Sequence, residues 1–290
     1  MRSPNVWLLG IRPRTLTLAA VPVVVGAALA WGDGVSADRI TFLATLACAV
    51  LIQVGTNLFN DARDGERGAD GPERIGPVRI TGAGLAKPAQ VRRAAAACFI
   101  GALLAGAYLV VVGGMPILLV GIASLVSGYA YSAGRRPLSH RPVGEAYVIL
   151  FFGLVAVAGS YYLQSGQPPA SPVILTGIAI GCYAAAVLLV NNARDTEADR
   201  RAGRETLAGK LGARGARQLY GVLVLMPVPM LAVAWGVTAI GLVWLSLPVC
   251  LWLTVLFARM PRGPEMNAQL GRTALAQVLV GALLIAERLS

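Results

Sequence analysis

The chain has 290 residues, of which 56% are apolar and 13% are charged, and its formal net charge is +11. Soluble domains carry about 25% charged residues, so this composition excludes an ordinary water-soluble protein. The positive charge lies in short stretches between long apolar runs. This placement is typical of membrane topology and argues against a nucleic-acid partner.

Nine apolar runs have the length and composition of transmembrane helices. Membrane helices tolerate the Gly and Pro residues inside some of them, because neighbouring helices satisfy the freed backbone groups. We therefore predict an all-α integral membrane protein, with one polytopic domain over 1–290 and a central cavity between its helices. The predicted spans are 16–32, 40–60, 94–112, 115–131, 143–163, 172–192, 216–235, 238–258 and 270–286.

The basic residues predict the orientation of these spans. Of 25 Lys and Arg residues, all but Arg39 and Arg288 lie in the N-terminus, in the loops after spans two, four, six and eight, or in the first turn of the span that follows such a loop. With nine spans, these five stretches lie on one side, and positive loops stay in the cytoplasm. We expect a multi-pass protein of the cytoplasmic (inner) membrane, with its N-terminus inside and its C-terminus outside.

Two short acidic segments indicate an internal repeat. Residues 60–66 read NDARDGE and residues 191–197 read NNARDTE, with five of seven positions identical. Each segment follows a long apolar span, and four spans separate them, which keeps the same orientation. This pattern predicts two four-helix pseudo-repeats, at about 16–131 and 143–258, followed by a final helix at 270–286.

The spacing within both segments predicts two facing rows of oxygen ligands. Asn60 and Asp64 are four residues apart, as are Asn191, Asp195 and Asp199, so each set shares one face if its helix continues. Carboxylate and amide oxygens suit Mg²⁺, which commonly bridges substrate phosphates. We therefore predict a magnesium site where the two faces oppose each other across the cavity.

Basic side chains surround these acids in sequence. Arginine binds phosphate oxygens through two parallel hydrogen bonds, so arginines beside metal-binding acids predict a diphosphate site. The long connection from residue 61 to about 93 is expected to form an ordered cytoplasmic cap over that site. The basic residues are Arg63, Arg67, Arg74, Arg79, Arg194, Arg200, Arg201, Arg204 and Lys210.

Four further residues are predicted to contact a substrate. Tyr131, at the end of span four, can place its ring against a cation, and Arg135 follows in the same basic loop. Glu145 lies just inside span five, where ionisable groups are usually functional, although it could instead pair with Arg141. Arg12 precedes span one and would either hold an acceptor carboxylate or only set topology.

A cation transporter is the alternative from another class of protein, because duplicated polar sites in a helical bundle can bind and move ions. The acids here lie at helix ends among arginines, whereas transport sites usually lie near the bilayer midplane. These features favour an enzyme. The second substrate of such an enzyme stays open at this point.

These motifs resemble the UbiA superfamily of intramembrane prenyltransferases, and most closely its 1,4-dihydroxy-2-naphthoate polyprenyltransferase branch. The resemblance covers most of the chain. It is carried by IRPRTL (11–16), NLFNDARDGERGAD (57–70), ERIGPVR (73–79), FFGLVAVAGSYYLQ (151–164) and NNARDTEADRRAGRETLA (191–208).

The resemblance implies nine helices around a cavity open to lipid. It implies transfer of a polyprenyl group from polyprenyl diphosphate to 1,4-dihydroxy-2-naphthoate, with loss of carbon dioxide and diphosphate, giving demethylmenaquinone. By the same resemblance, Mg²⁺ would be held by Asn60, Asp64, Asp195 and Asp199, with help from Asp61, Asp70 and Asn191, while Arg204 and Lys210 would contact phosphate.

Overall fold

The computed structural model describes residues 6–66, 75–132, 138–236 and 241–290. Within these ranges every regular element is helical, so the predicted fold class is confirmed. A π-helical stretch, Leu150–Val155, joins two of the helices. The α-helices are α1 Val6–Ile11, α2 Pro13–Gly32, α3 Arg39–Glu66, α4 Pro88–Ser132, α5 Gly144–Ile149, α6 Ala156–Ser165, α7 Ser171–Arg201, α8 Leu207–Leu225, α9 Pro227–Ala234, α10 Leu247–Arg259 and α11 Met266–Leu289.

Eight helical segments in the described ranges are long and apolar enough to cross a membrane. One combines α5, the π-helical stretch and α6, and another combines α8 and α9. These segments overlap all nine predicted spans, because the spans 94–112 and 115–131 both fall within α4. The protein is therefore a multi-pass membrane protein.

α4 changes direction at Gly114, whose φ of 65° and ψ of −152° favour glycine strongly. A straight helix of its 45 residues would be about 67 Å long, roughly twice the thickness of the hydrocarbon layer. Before this kink, Arg92 pairs with Glu66 at the end of α3. At the kink, the carbonyl of Gly113 accepts a hydrogen bond of 3.2 Å from Tyr162. Two residues after Tyr162, Gln164 accepts from the backbone N–H of Asp38, just before α3 begins. The kink at Gly114 therefore lies between the two predicted spans.

α7 is the central helix of the bundle. In its most apolar stretch 72% of the residues are buried, against 11% in α4, which presents apolar side chains outward as a lipid-facing helix does. Glycines let the span of α5 and α6 approach α7 backbone to backbone. A Cβ atom on Gly153 would lie 2.3 Å from the carbonyl oxygen of Gly177 and 2.6 Å from the Cα of Gly181. Such small-residue contacts are a common way for membrane helices to pack closely.

Both acidic segments lie in the last turns of long helices, α3 and α7. We call the side of the molecule where these helices end the motif end. On the opposite side, Asp33 accepts hydrogen bonds of 2.9 Å from Tyr161 and 2.8 Å from Arg288. These bonds join α2, α6 and α11, so the bundle is tied together far from the motifs.

Candidate active site

α3 and α7 remain helical through their acidic segments, which places the predicted ligands on shared faces. α3 continues to Glu66 and α7 to Arg201, so the four-residue spacings become neighbouring turns. α7 stops soon afterwards because Gly203 adopts a left-handed conformation, with φ of 68°. Asn60, Asp64, Asn191, Asp195 and Asp199 all lie within the described residues.

In the first segment, Asp64 forms an ion pair with Arg79, which lies in the loop between α3 and α4. The side chains are only 15% and 13% exposed, so their attraction is screened less than that of a surface pair. A guanidinium nitrogen of Arg79 also lies 3.5 Å from the backbone carbonyl oxygen of Asn60. The loop thus brings a cation onto the predicted metal-binding face.

Asp61 has different partners from those expected of a metal ligand. It is completely buried, and its carboxylate accepts hydrogen bonds of 3.0 Å from the backbone N–H groups of Ile80 and Thr81. The Thr81 hydroxyl donates to the same carboxylate at 2.6 Å. Both carboxylate oxygens are therefore engaged by the loop.

In the second segment, Arg194 is a buried clamp rather than a substrate-facing cation. Its guanidinium donates two hydrogen bonds to Asp195, at 2.7 and 2.5 Å, and one of 2.8 Å to the amide oxygen of Asn191. It also donates at 2.5 Å to Asn267 of α11. With its side chain 2% exposed, Arg194 orients Asp195 and Asn191, and the sequence-based prediction of phosphate contact does not fit this geometry.

The amide nitrogen of Asn267 donates a hydrogen bond of 2.8 Å to the carbonyl oxygen of Ile75, at the start of the described loop. The sequence patterns do not point to Asn267 or Thr81. A polar residue at the start of an apolar helix is a weak signal for the first. No local signal marks the second.

The other basic candidates that the structure describes lie near the ends of α3 and α7 and at the start of α8. Arg204 is 3.6 Å from Asp199 and its side chain is 39% exposed. Lys210 lies exposed in the first turn of α8, and Thr206 caps that helix by accepting from the Gly209 N–H at 3.2 Å. Arg63 is half-buried in the last turn of α3.

The electrostatics of Arg79 show that several of these groups lie close together. Burial lowers its pKa to about 10, the positive charges of Arg12 and Arg204 lower it as well, and the negative charges of Asp61 and Asp195 raise it. The charge of the Arg79 guanidinium is therefore influenced by both acidic segments and by the turn before α2. Arg12 itself has a left-handed backbone, with φ of 56°, which is uncommon for a residue with a side chain.

Glu145 lies beside the second segment. It is 4% exposed, and one carboxylate oxygen accepts a hydrogen bond of 3.0 Å from the Asn192 amide. This carboxylate oxygen of Glu145 therefore contacts Asn192 and not Arg141, which the sequence offered as an alternative partner. Four predicted residues, Arg67, Asp70, Arg74 and Arg135, lie outside the described residues, as does the side chain of Tyr131.

The oxygen ligands fit a magnesium ion bound together with a diphosphate. Within the described ranges, no three His, Cys, Asp or Glu side chains are close enough to hold a metal by themselves. Mg²⁺ usually takes one or two protein carboxylates and completes its shell with water and substrate phosphates. One carboxylate on α3 and two on α7, each paired with an arginine, suit that mode of binding.

This fold and this site define a multi-pass membrane protein whose charged site lies where two spanning helices end. Comparison with known proteins gives the family. The model of the UbiA prenyltransferase family matches residues 19–275. The chain belongs to this family and is a prenyltransferase.

Individual relatives agree with this assignment. The chain is 38% identical to a 1,4-dihydroxy-2-naphthoate octaprenyltransferase of Mycobacterium tuberculosis, over 100% of this chain and 98% of the other. A UbiA homolog from Aeropyrum pernix has the same fold, with a TM-score of 0.68 at 16% identity, covering 93% of this chain and 97% of the other. A homolog from Archaeoglobus fulgidus, solved with DMAPP and Mg²⁺, gives 0.61 at 16% identity over 96% and 98%.

Proposed function

We propose that the protein transfers a polyprenyl group from polyprenyl diphosphate to 1,4-dihydroxy-2-naphthoate, giving demethylmenaquinone for menaquinone biosynthesis. Full-length similarity to a 1,4-dihydroxy-2-naphthoate octaprenyltransferase supports the acceptor. The structural observation that carries the proposal is the pairing of motif acids with arginines at the ends of α3 and α7. Acids that bind a metal and arginines that bind an anion are what a diphosphate requires.

The donor diphosphate is bound by Arg79 and Arg204, with Arg12, Arg63 and Lys210 around them. Arg79 and Arg204 are paired with Asp64 and Asp199 in the structure. Phosphate oxygens compete for the same guanidinium groups, and each exchange leaves a carboxylate able to take a metal. Arg194 keeps its carboxylate partner, because its guanidinium is buried and engaged on three sides.

Magnesium dependence follows from the same ligands. When bound, Mg²⁺ supplies positive charge that stabilises the departing diphosphate. Asn60, Asp64, Asn191, Asp195 and Asp199 would hold it. Mg²⁺ in the Archaeoglobus fulgidus homolog supports this part of the proposal.

In the reaction, the bond between the allylic carbon and the diphosphate oxygen breaks, and the electron pair leaves with the diphosphate. The electron-rich naphthol ring attacks the allylic cation at the carbon that carries the carboxylate. That carboxylate then departs as carbon dioxide and returns its bonding pair to the ring. Burial among membrane helices keeps water from the cation. The second carboxylate oxygen of Glu145 has no partner among the described residues, and it accepts a hydrogen bond from a hydroxyl group of the naphthoate substrate.

The orientation and the repeat extend the proposal to the whole chain. We infer that the motif end faces the cytoplasm, because the basic loops lie there and positive loops stay inside. The two acidic segments at equivalent helix ends support a duplicated four-helix unit. A reporter fused to the C-terminus tests the orientation, because we expect the C-terminus to lie outside the cytoplasm. A reporter found in the cytoplasm would contradict the proposed orientation.

The test of function uses membranes that contain the protein, a polyprenyl diphosphate, Mg²⁺ and 1,4-dihydroxy-2-naphthoate, with products detected by mass. A magnesium-dependent prenylated naphthol that has lost carbon dioxide is expected. Donor binding without this product would support the diphosphate site and show that the acceptor is a different molecule. Absence of both binding and product would refute the proposal.

A further inference from the structure

The segment Arg79–Thr81 is attached to α3 through three consecutive residues. Arg79 pairs with Asp64, while Ile80 and Thr81 donate their backbone N–H groups to Asp61. The Thr81 hydroxyl also lies 2.7 Å from the Asp61 backbone carbonyl oxygen, to which it can donate. This hydroxyl is therefore shared between two acceptors of one residue.

Packing holds the same segment against α3. Ile80 is completely buried in a cluster with Val54, Leu58 and Ala62. Gly65 provides the space for Thr81, because a Cβ there would lie 2.3 Å from the threonine hydroxyl oxygen. Packing therefore fixes the position of Ile80 and Thr81, the two residues that follow Arg79.

From these contacts we propose that Asp61 is a positioning residue, which holds the backbone of residues 80 and 81 so that Arg79 lies on the metal- and diphosphate-binding face. The proposal rests on the proposed function, because it assigns Arg79 to the diphosphate. It replaces the expected role of Asp61 in metal binding. A carboxylate that already accepts from two backbone N–H groups and a hydroxyl has little capacity left for a cation.

The second acidic segment reaches the same loop from the other side. Asn267 accepts from Arg194 and donates to the carbonyl oxygen of Ile75, four residues before Arg79. Arg194 in turn orients Asp195. The described loop is therefore anchored to both motifs, by Asp61 near Arg79 and by Asn267 at its start.

A matched control exists at the opposite end of the same helix. Asp38 accepts from the backbone N–H groups of Ile40 and Thr41, at 3.0 and 3.1 Å, and from the Thr41 hydroxyl at 2.7 Å. It has the same three kinds of donor as Asp61 but lies far from both motifs. Asp38→Asn therefore reports what loss of such a cap does to folding alone.

The experiment compares wild type, Asp61→Asn, Arg79→Ala, the double variant and Asp38→Asn in detergent. Hydrogen exchange is followed over residues 75–87, and binding of a prenyl thiodiphosphate is titrated with and without Mg²⁺. Asp61→Asn should lose amide protection at residues 80 and 81 and weaken diphosphate binding about tenfold, the scale of a hydrogen bond to a charged group. Asp38→Asn should leave both unchanged.

The double variant separates positioning from metal binding. If Asp61 acts through Arg79, adding Asp61→Asn to Arg79→Ala changes diphosphate binding by no more than about twofold, since the two effects share one cause. If Asp61 were a metal ligand, Asp61→Asn would instead raise the Mg²⁺ concentration required for binding. Its effect on the dissociation constant would then multiply with the effect of Arg79→Ala. That result, or unchanged protection at residues 80 and 81, would overturn the inference.

The wild-type protein distinguishes this inference from the proposed function. Wild type that binds no prenyl thiodiphosphate would refute the diphosphate site, and the role of Arg79 with it. Wild type that binds the probe, with Asp61→Asn behaving identically, would refute only the positioning role.

Discussion

At the scale of single residues, the three motif carboxylates differ in how their arginine partners are held. Arg194 is buried with a side-chain exposure of 2% and contacts three different residues, so its bond to Asp195 is built into the helix packing. Arg204 is 39% exposed and lies 3.6 Å from Asp199, a longer and more solvated contact. A diphosphate can therefore recruit Arg204 at lower cost than Arg194.

Asp64→Ala should lower kcat/KM about a hundredfold or more, the scale seen when one group that stabilises a developing charge is removed. Glu66→Ala is the matched control, because Glu66 lies on the same helix but pairs with Arg92 at the exposed surface. It should stay within about twofold of wild type, as expected for a surface ion pair. Near-normal turnover of Asp64→Ala would remove this carboxylate from the site.

Arg79→Ala should raise the donor KM about tenfold and leave the acceptor KM nearly unchanged. The lowered pKa of Arg79, about 10, still leaves its guanidinium protonated below pH 9. The ratio of donor KM between variant and wild type should therefore be the same at pH 6.5 and pH 8.5. A ratio that changed across this range would mean that another titrating group accounts for the effect.

At the scale of helices, the sequence predicts the elements better than their contacts. The spans follow from apolar length, and the shared faces of Asp64 and Asp195 follow once α3 and α7 continue. The donors to Asp61 and the contact of Arg194 with Asn267 could not be predicted, because they involve a loop 20 residues away and a helix 73 residues away. Such pairings depend on how helices pack, and single residues carry little signal for this.

Close helix packing makes Gly181 a sensitive position. A Cβ there would lie 2.8 Å from the Ile149 carbonyl oxygen and 3.0 Å from the Gly153 Cα, both backbone atoms. Gly181→Ala should lower the stability by about 1–3 kcal/mol, the usual range for overpacking, measured as thermal unfolding in detergent. Gly159→Ala is the control on the adjoining helix, since its Cβ meets nothing within 4 Å. Equal stability of the two variants would contradict this contact.

At the scale of the whole molecule, α11 links the motif end to the centre of the bundle. Asn267 at its start joins Arg194 to Ile75. Further along, Gln277 donates to the carbonyl oxygen of Ile180 in α7 at 3.1 Å. One helix therefore supports both the site and the core, through two amide side chains.

These two amides separate effects on the site from effects on the fold. Asn267→Leu should raise the donor KM and weaken the protein by about 1–3 kcal/mol, because buried Arg194 loses an acceptor. Gln277→Leu should affect stability without changing the donor KM. Donor kinetics and unfolding in detergent, measured for both variants, check this. An unchanged donor KM in Asn267→Leu would show that the link does not reach the site.

The link through Asn267 also has a consequence for the order in which the protein is made. Helix α11 leaves the ribosome after α7 and supplies the partner that completes the Arg194 clamp, 73 residues after Arg194 itself is synthesised. Until α11 inserts, Arg194 lacks that acceptor and the start of the loop lacks its second anchor. The growing chain therefore enters the membrane with an unfinished site, and the Arg194 clamp is complete only after α11 has inserted.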